Sequence, residues 1–131
     1  MKINSDDPNY LPIVNKDGSC DLSVNFRVSP CIGRITTVVS NDKILLGHRM
    51  IALIDCGISL EIPEDYQFVG FIKREFSQKG LVLMTNKVVD ENGRVKIIVC
   101  NIGHESIEIK HGDKIACIEL VQNNKFKWKT S

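Results

Sequence analysis

Gly47-His48-Arg49-Met50-Ile51-Ala52-Leu53-Ile54-Asp55-Cys56-Gly57-Ile58-Ser59-Leu60-Glu61-Ile62-Pro63-Glu64-Asp65-Tyr66 is the stretch on which the fold turns. Its apolar residues come in short runs. Arg49 to Ile54 leads to a break at Cys56-Gly57, and Ile58 to Ile62 ends at Pro63-Glu64-Asp65. Runs this short, rich in β-branched residues and closed by turn formers, read as strands rather than helices.

The same pattern extends outward on both sides. Upstream, Ile35 to Ser40 is β-branched and ends at Asn41-Asp42, and Lys43 to Leu46 ends at Gly47. Downstream come Tyr66 to Lys73, Leu81 to Met84, Lys87 to Val89, and Arg94 to Cys100 before Asn101-Ile102-Gly103. Ser106-Ile107-Glu108-Ile109-Lys110 alternates as a half-buried strand does, and Lys114 to Val121 is the last apolar run. No segment carries a convincing amphipathic-helix pattern. Many short, evenly spaced strands predict a sandwich, barrel or jelly roll. A sheet protein of this size has edges to hide, and burial between subunits would hide them.

Bulk properties narrow the class. The chain has 131 residues, enough for one core and too few for two. Hydrophobic residues are 43% and charged residues 25%, the balance of an ordinary globular protein. A formal net charge of +1 argues against tracking nucleic acid or coating a membrane. No apolar run is long enough to span a bilayer, and Met1 to Tyr10 lacks the pattern of a secretory signal. A cytoplasmic setting is expected, the host cytoplasm if the source is a virus. The cysteines (Cys20, Cys31, Cys56, Cys100, Cys117) are odd in number and form no CxxC pair, which predicts reduced thiols packed as small apolar residues. His48, His104 and His111 do not pair with them at zinc spacing.

Four polar features stand out: Asp21 in Gly18-Ser19-Cys20-Asp21-Leu22, Arg74 in Ile72-Lys73-Arg74-Glu75-Phe76-Ser77, Asp90 opening Asp90-Glu91-Asn92-Gly93, and Gly112-Asp113-Lys114-Ile115-Ala116. Singly, each is an ordinary turn former at a strand end. In this order, and around the Gly47 to Tyr66 stretch, they resemble the trimeric dUTPase family. Asp21-Leu22 is similar to its Tyr-Asp-Leu motif, Lys73-Arg74 stands where it has Pro-Arg-Ser, and Val88-Val89-Asp90-Glu91-Asn92-Gly93-Arg94 resembles Val-Ile-Asp-x-Asp-Tyr-Arg. Gly112-Asp113-Lys114-Ile115-Ala116-Cys117 is close to Gly-Asp-Arg-Ile-Ala-Gln.

The resemblance implies an all-β, dUTPase-like β-clip or jelly-roll domain over residues 17–121, assembled as a homotrimer. Residues 1–16 would be an N-terminal extension and 122–131 a tail without the family's Gly-rich motif. It implies a nucleotide ligand, while the charge and the short apolar runs lead to no membrane and no nucleic-acid partner. Asp90 would be catalytic, activating the attacking water. Arg74, Asn86, Ser77, Asn92, Arg94 and Cys117 would bind nucleotide, with Arg74 on phosphate and Asn86 on the uracil edge. Asp21 would hold a Mg2+ shell through water if the protein is catalytic.

The departures fall on the chemistry. Glu75 stands where the family has the Ser that bridges the phosphates, and an acid there repels a triphosphate. The segments Arg74 to Gly80 and Asn86 to Asp90 are shorter than the family's. Gly93 replaces the Tyr that packs under deoxyribose, and Cys117 replaces a Gln that donates to phosphate. The tail carries Phe126, Trp128 and lysines instead of the Gly-rich arm. Three readings follow. The first is a nucleotide-binding protein with weak or no hydrolysis, such as a viral protein that sequesters a nucleotide signal. The second is a divergent, active dUTP diphosphatase, and the third an interaction trimer with vestigial sites.

Overall fold

The computed structural model describes residues 3–5, 14–24, 37–40, 43–85 and 87–122. Asn86, Cys31 and the tail with Phe126 and Trp128 lie outside them. The described elements are strands β1 (Ile3–Ser5), β2 (Cys20–Ser23), β3 (Thr37–Ser40), β4 (Lys43–Leu46), β5 (Ile51–Leu60) and β6 (Tyr66–Ile72), helix α1 (Arg74–Ser77), then β7 (Leu81–Leu83), β8 (Arg94–Asn101), β9 (Ile107–Lys110) and β10 (Lys114–Gln122). All pairings between these strands are antiparallel. They form three sheets, ordered β1-β5-β8-β7, β2-β10-β6 and β3-β4-β9. The expected all-β domain is what the chain forms.

The core is where period-two alternation places it. Along β5 the inward positions Ala52, Ile54, Cys56, Ile58 and Leu60 are buried, and on β8 Val95, Ile97 and Val99 meet them. Leu22, Ile44, Leu46, Ile107, Ile109, Ile115 and Ile118 bring the other two sheets into the same cluster. Side chains of this size contribute roughly 1.5–3 kcal/mol each when fully buried, so this cluster is the main stabilising term.

Lys87 to Val89, read as a strand, forms only isolated bridges to Val69 and Val95, and two further local readings change on folding. The sequence suggested a break at Cys56-Gly57, but β5 runs through it. The β5–β8 register slips between Asp55 and Ser59, as at a bulge. Gly57, at φ +74°, supplies the left-handed residue, and its N–H donates to Asp55 Oδ1 at 2.9 Å. The second change is α1, a single turn that the strand pattern does not announce. It follows Lys73, whose backbone is extended, and it buries Phe76. A four-residue turn has too little periodicity to be read from sequence.

Strand β6 matters most for the site. It leads from the turn at Pro63-Glu64-Asp65 to Lys73 and Arg74. At about 3.4 Å per residue, its ends stand roughly 20 Å apart.

Candidate active site

The polar residues singled out by sequence gather at the two ends of β6, in two clusters.

At the Arg74 end, β10 lies between β2 and β6. Cys117 therefore has Asp21 on one side and Phe71 on the other. Asp21 is buried, and its Oδ1 accepts from Lys73 Nζ at 2.7 Å and from Asn15 Nδ2 at 3.0 Å. Asn15 Nδ2 also donates to Ser19 Oγ, and Ser19 donates to Asp17 through both its N–H and its hydroxyl. Burial pushes the Asp21 carboxyl upward, but the donors Lys73 and Asn15 outweigh it and hold it below the usual carboxylate range. The hydrogen bond to Asp21 raises Lys73 in turn. Burial also raises the Cys117 thiol, with Lys73 opposing. Ser77, the last residue of α1, donates its hydroxyl to Arg74 O at 3.1 Å. Lys73 is the residue here that motif reading did not single out. It precedes the motif residue Arg74, and only the fold shows it meeting Asp21 across 52 positions.

At the other end, Asp90 opens the tight turn into β8. Its backbone N–H donates to Arg94 O, and Gly93 N–H donates back to Asp90 O. The carboxylate Oδ1 accepts from the backbone N–H groups of Asn92 (2.9 Å) and Arg94 (3.0 Å). Lys96 Nζ lies 3.8 Å from Oδ2. Two fixed backbone donors orient this carboxylate, yet its side chain stays 38% exposed, so it remains within reach of a ligand. The Arg94 side chain turns away. Its guanidinium meets both oxygens of Asp55 at 3.0 Å, a bidentate pair that ties the hairpin base to the β5 bulge.

Two cavities flank Asp90. The larger, about 470 Å³, is walled by Leu53, Thr85, Lys87, Asn92, Lys96 and Ile98 with the Val88 to Glu91 strip. The smaller, about 230 Å³, is walled by Ile62, Tyr66, Gln67 and Phe68 together with Lys87, Val89, Asp90 and Glu91. The larger lies within the range of small-ligand sites. Asp21, Arg74, Ser77 and Cys117 line neither. One chain thus brings Asp90 and Asn92 to one opening and sets Asp21, Arg74, Ser77 and Cys117 at the far end of β6.

Position 93 is a glycine for structural reasons. Its φ is +80°, and a Cβ there would come within 2.1 Å of Leu60 O. No ring can be carried at this point of the hairpin. Asp65, in the turn before β6, also lies in the left-handed region, at φ +63°. Aspartate is among the few residues that tolerate that conformation.

An all-antiparallel domain with a ligand-sized cavity and a backbone-held carboxylate at its mouth is an all-β domain with an open polar cleft. The comparisons say which kind. The dUTPase family model matches residues 38–130, so the chain belongs to the dUTPase family. The deoxyuridine 5'-triphosphate nucleotidohydrolase of Ehrlichia canis is 34% identical over 77 residues, 56% of this chain and 50% of that protein. The chain spans about half the length of the curated relatives it matches. Among solved structures, a dUTPase mutant of Staphylococcus bacteriophage 80alpha with dUpNHpp superposes at a TM-score of 0.72 and 18% identity, covering 99% of this chain and 94% of that one. A mutant dUTPase from phage phi11 of S. aureus, described with a structural Mg(II) ion, gives 0.71 at 18%, covering 99% and 95%. At such identities these likenesses show the fold. The family match confirms the resemblance read from the ordered motifs.

Proposed function

We propose that this chain is a divergent dUTP diphosphatase, converting dUTP to dUMP and pyrophosphate. The observation that carries the reading is Asp90, which two backbone N–H groups aim at the mouth of a ligand-sized cavity in a dUTPase-family chain. The curated relatives are named as nucleotidohydrolases, which favours hydrolysis over a site reduced to binding.

The chemistry asks little covalent work of the protein. A water attacks the α-phosphorus, the bond from that phosphorus to the α–β bridging oxygen breaks, and pyrophosphate leaves. Asp90 takes the water's proton, the role of a positioned general base. Arg74 offers a planar fork to phosphate oxygens. Asn92 lines the larger cavity with Asp90, which supports a contact with the nucleotide.

Magnesium is part of the family's expected chemistry. Among the described residues no group of three His, Cys, Asp or Glu side chains could cage a metal. Magnesium seldom needs such a cage and usually takes one or two carboxylates plus phosphate oxygens and waters. The donor set at Asp21 fits an outer-shell contact, because Lys73 and Asn15 already donate to its Oδ1. When bound, the ion offsets the triphosphate charge.

Assembly is the second half of the proposal. The roughly 20 Å length of β6 sets the Arg74 end apart from the Asp90 end within a chain. In a homotrimer, the Arg74 end of one copy meets the Asp90 end of another, and each site is completed across a subunit boundary. Phe71, paired with Cys117 near the Arg74 end, is 47% exposed, in keeping with a contact there. The test is pyrophosphate release from dUTP with magnesium. Release above buffer, lost in Asp90→Asn, supports the reading; wild-type protein that releases none overturns it.

A further inference from the structure

Tyr66 is a feature of this opening that the motifs do not account for. The two cavities share Lys87, Val89, Asp90 and Glu91, so they are lobes on either side of one carboxylate. The lobes differ in chemistry. The larger has Lys87, Lys96, Thr85 and Asn92 on its walls, and the smaller has Ile62, Tyr66 and Phe68. Phe68 is buried in the core, whereas Tyr66, at the first position of β6, is 37% exposed. It is therefore the more accessible of the two aromatic residues that line this lobe. The hairpin cannot supply a ring of its own at position 93, because a Cβ there would strike Leu60 O.

We propose that Tyr66 provides the aromatic face against which the nucleoside of the bound nucleotide lies, beside Asp90. This deepens the proposed function and rests on it. A nucleoside presents a flat base with a π-face and an apolar sugar edge, and both gain from contact with an aromatic ring. The strand sets the geometry. β6 pairs with β10 through Tyr66↔Gln122, so the Tyr66 backbone is held in the sheet while the residue borders the cavity.

The experiment is calorimetric titration of the full chain with the non-hydrolysable analogue dUpNHpp, with sedimentation of each variant. Tyr66→Ala is expected to weaken binding about ten- to hundredfold, with assembly state and circular dichroism unchanged. Tyr66→Phe keeps the ring and is expected to stay within about threefold of wild type. In a Trp128→Phe background, Tyr66→Trp should give indole emission quenched on adding dUpNHpp. Unchanged affinity in Tyr66→Ala, or emission indifferent to nucleotide, overturns the inference and leaves the hydrolase reading standing. Dissociation of Tyr66→Ala into smaller species also overturns it, by assigning the ring to contact between copies. Wild-type protein that neither binds nor hydrolyses the nucleotide removes both.

Discussion

Asp21 and Asp90 are both aspartates that the family motifs pick out, and the fold treats them in opposite ways. Asp21 lies inside, 8% exposed at the side chain, with a lysine ammonium on one oxygen. Asp90 lies at a cavity mouth, held by backbone amides and open to a ligand. A carboxylate held by side-chain donors in the interior places charge. One held by its own turn, with a free approach, can exchange a proton with a bound molecule. Matching motifs therefore do not imply matching jobs, and substitutions should separate the two.

The largest separation is expected in turnover. Asp90→Asn preserves an acceptor for the Asn92 and Arg94 amides but removes the base, so it should lower kcat by about 10²–10⁴-fold while chemical denaturation stays close to wild type. A large loss of stability with residual activity would reverse the assignment. Next is the turn that holds Asp90. Gly93→Ala combines a left-handed backbone with a collision at Leu60 O, and should cost about 3 kcal/mol in urea unfolding. A neutral result would mean the hairpin is not rigid.

The Asp21 end should answer in stability. Lys73→Met leaves a buried carboxylate short of its partner, a loss of about 2 kcal/mol after allowing for the partly exposed ammonium. The pH dependence sharpens this. Asp21 is depressed on folding, so its contribution is present above its unfolded value of about 4 and is lost as pH falls through the lower folded one. Lys73 is raised, so its contribution holds below about 10.4 and is lost as pH rises past the higher folded value. The gap between wild type and Lys73→Met should be flat from about pH 5 to 9 and close in acid. A gap that opens only in the neutral range would point to another group. The smallest effect is Asp65→Gly, which relieves a left-handed aspartate and should stabilise by about 0.5–1 kcal/mol.

The strands and the family were legible because they rest on order and period. Ile107 to Lys110 alternates buried and exposed as its sequence alternates apolar and polar. The β5 bulge was not legible, because a glycine between apolar runs reads equally as a turn. Asp90 and Asn92 could be placed together from one motif, since four chain positions close one turn. The Asp21–Lys73 pair could not, because it depends on two strands flanking β10. Nor could the place of Tyr66 beside the Asp90 opening, which depends on the approach of β6 to Lys87 seen at Val69↔Lys87. The pairing of Arg94 with Asp55 is likewise not announced by its motif position, since it joins β8 to β5 across 39 positions.

The central claim is that the two ends of β6 become one site only when copies of the chain meet. Subunit mixing tests it directly. Asp90→Asn and Arg74→Ala, each inactive alone, are unfolded together in equal amounts, refolded and assayed for pyrophosphate release from dUTP. Sites drawn from two chains predict recovery to about a quarter of wild-type activity, since random pairing joins an intact Asp90 to an intact Arg74 in that fraction. A mixture as inactive as either parent would contradict the account.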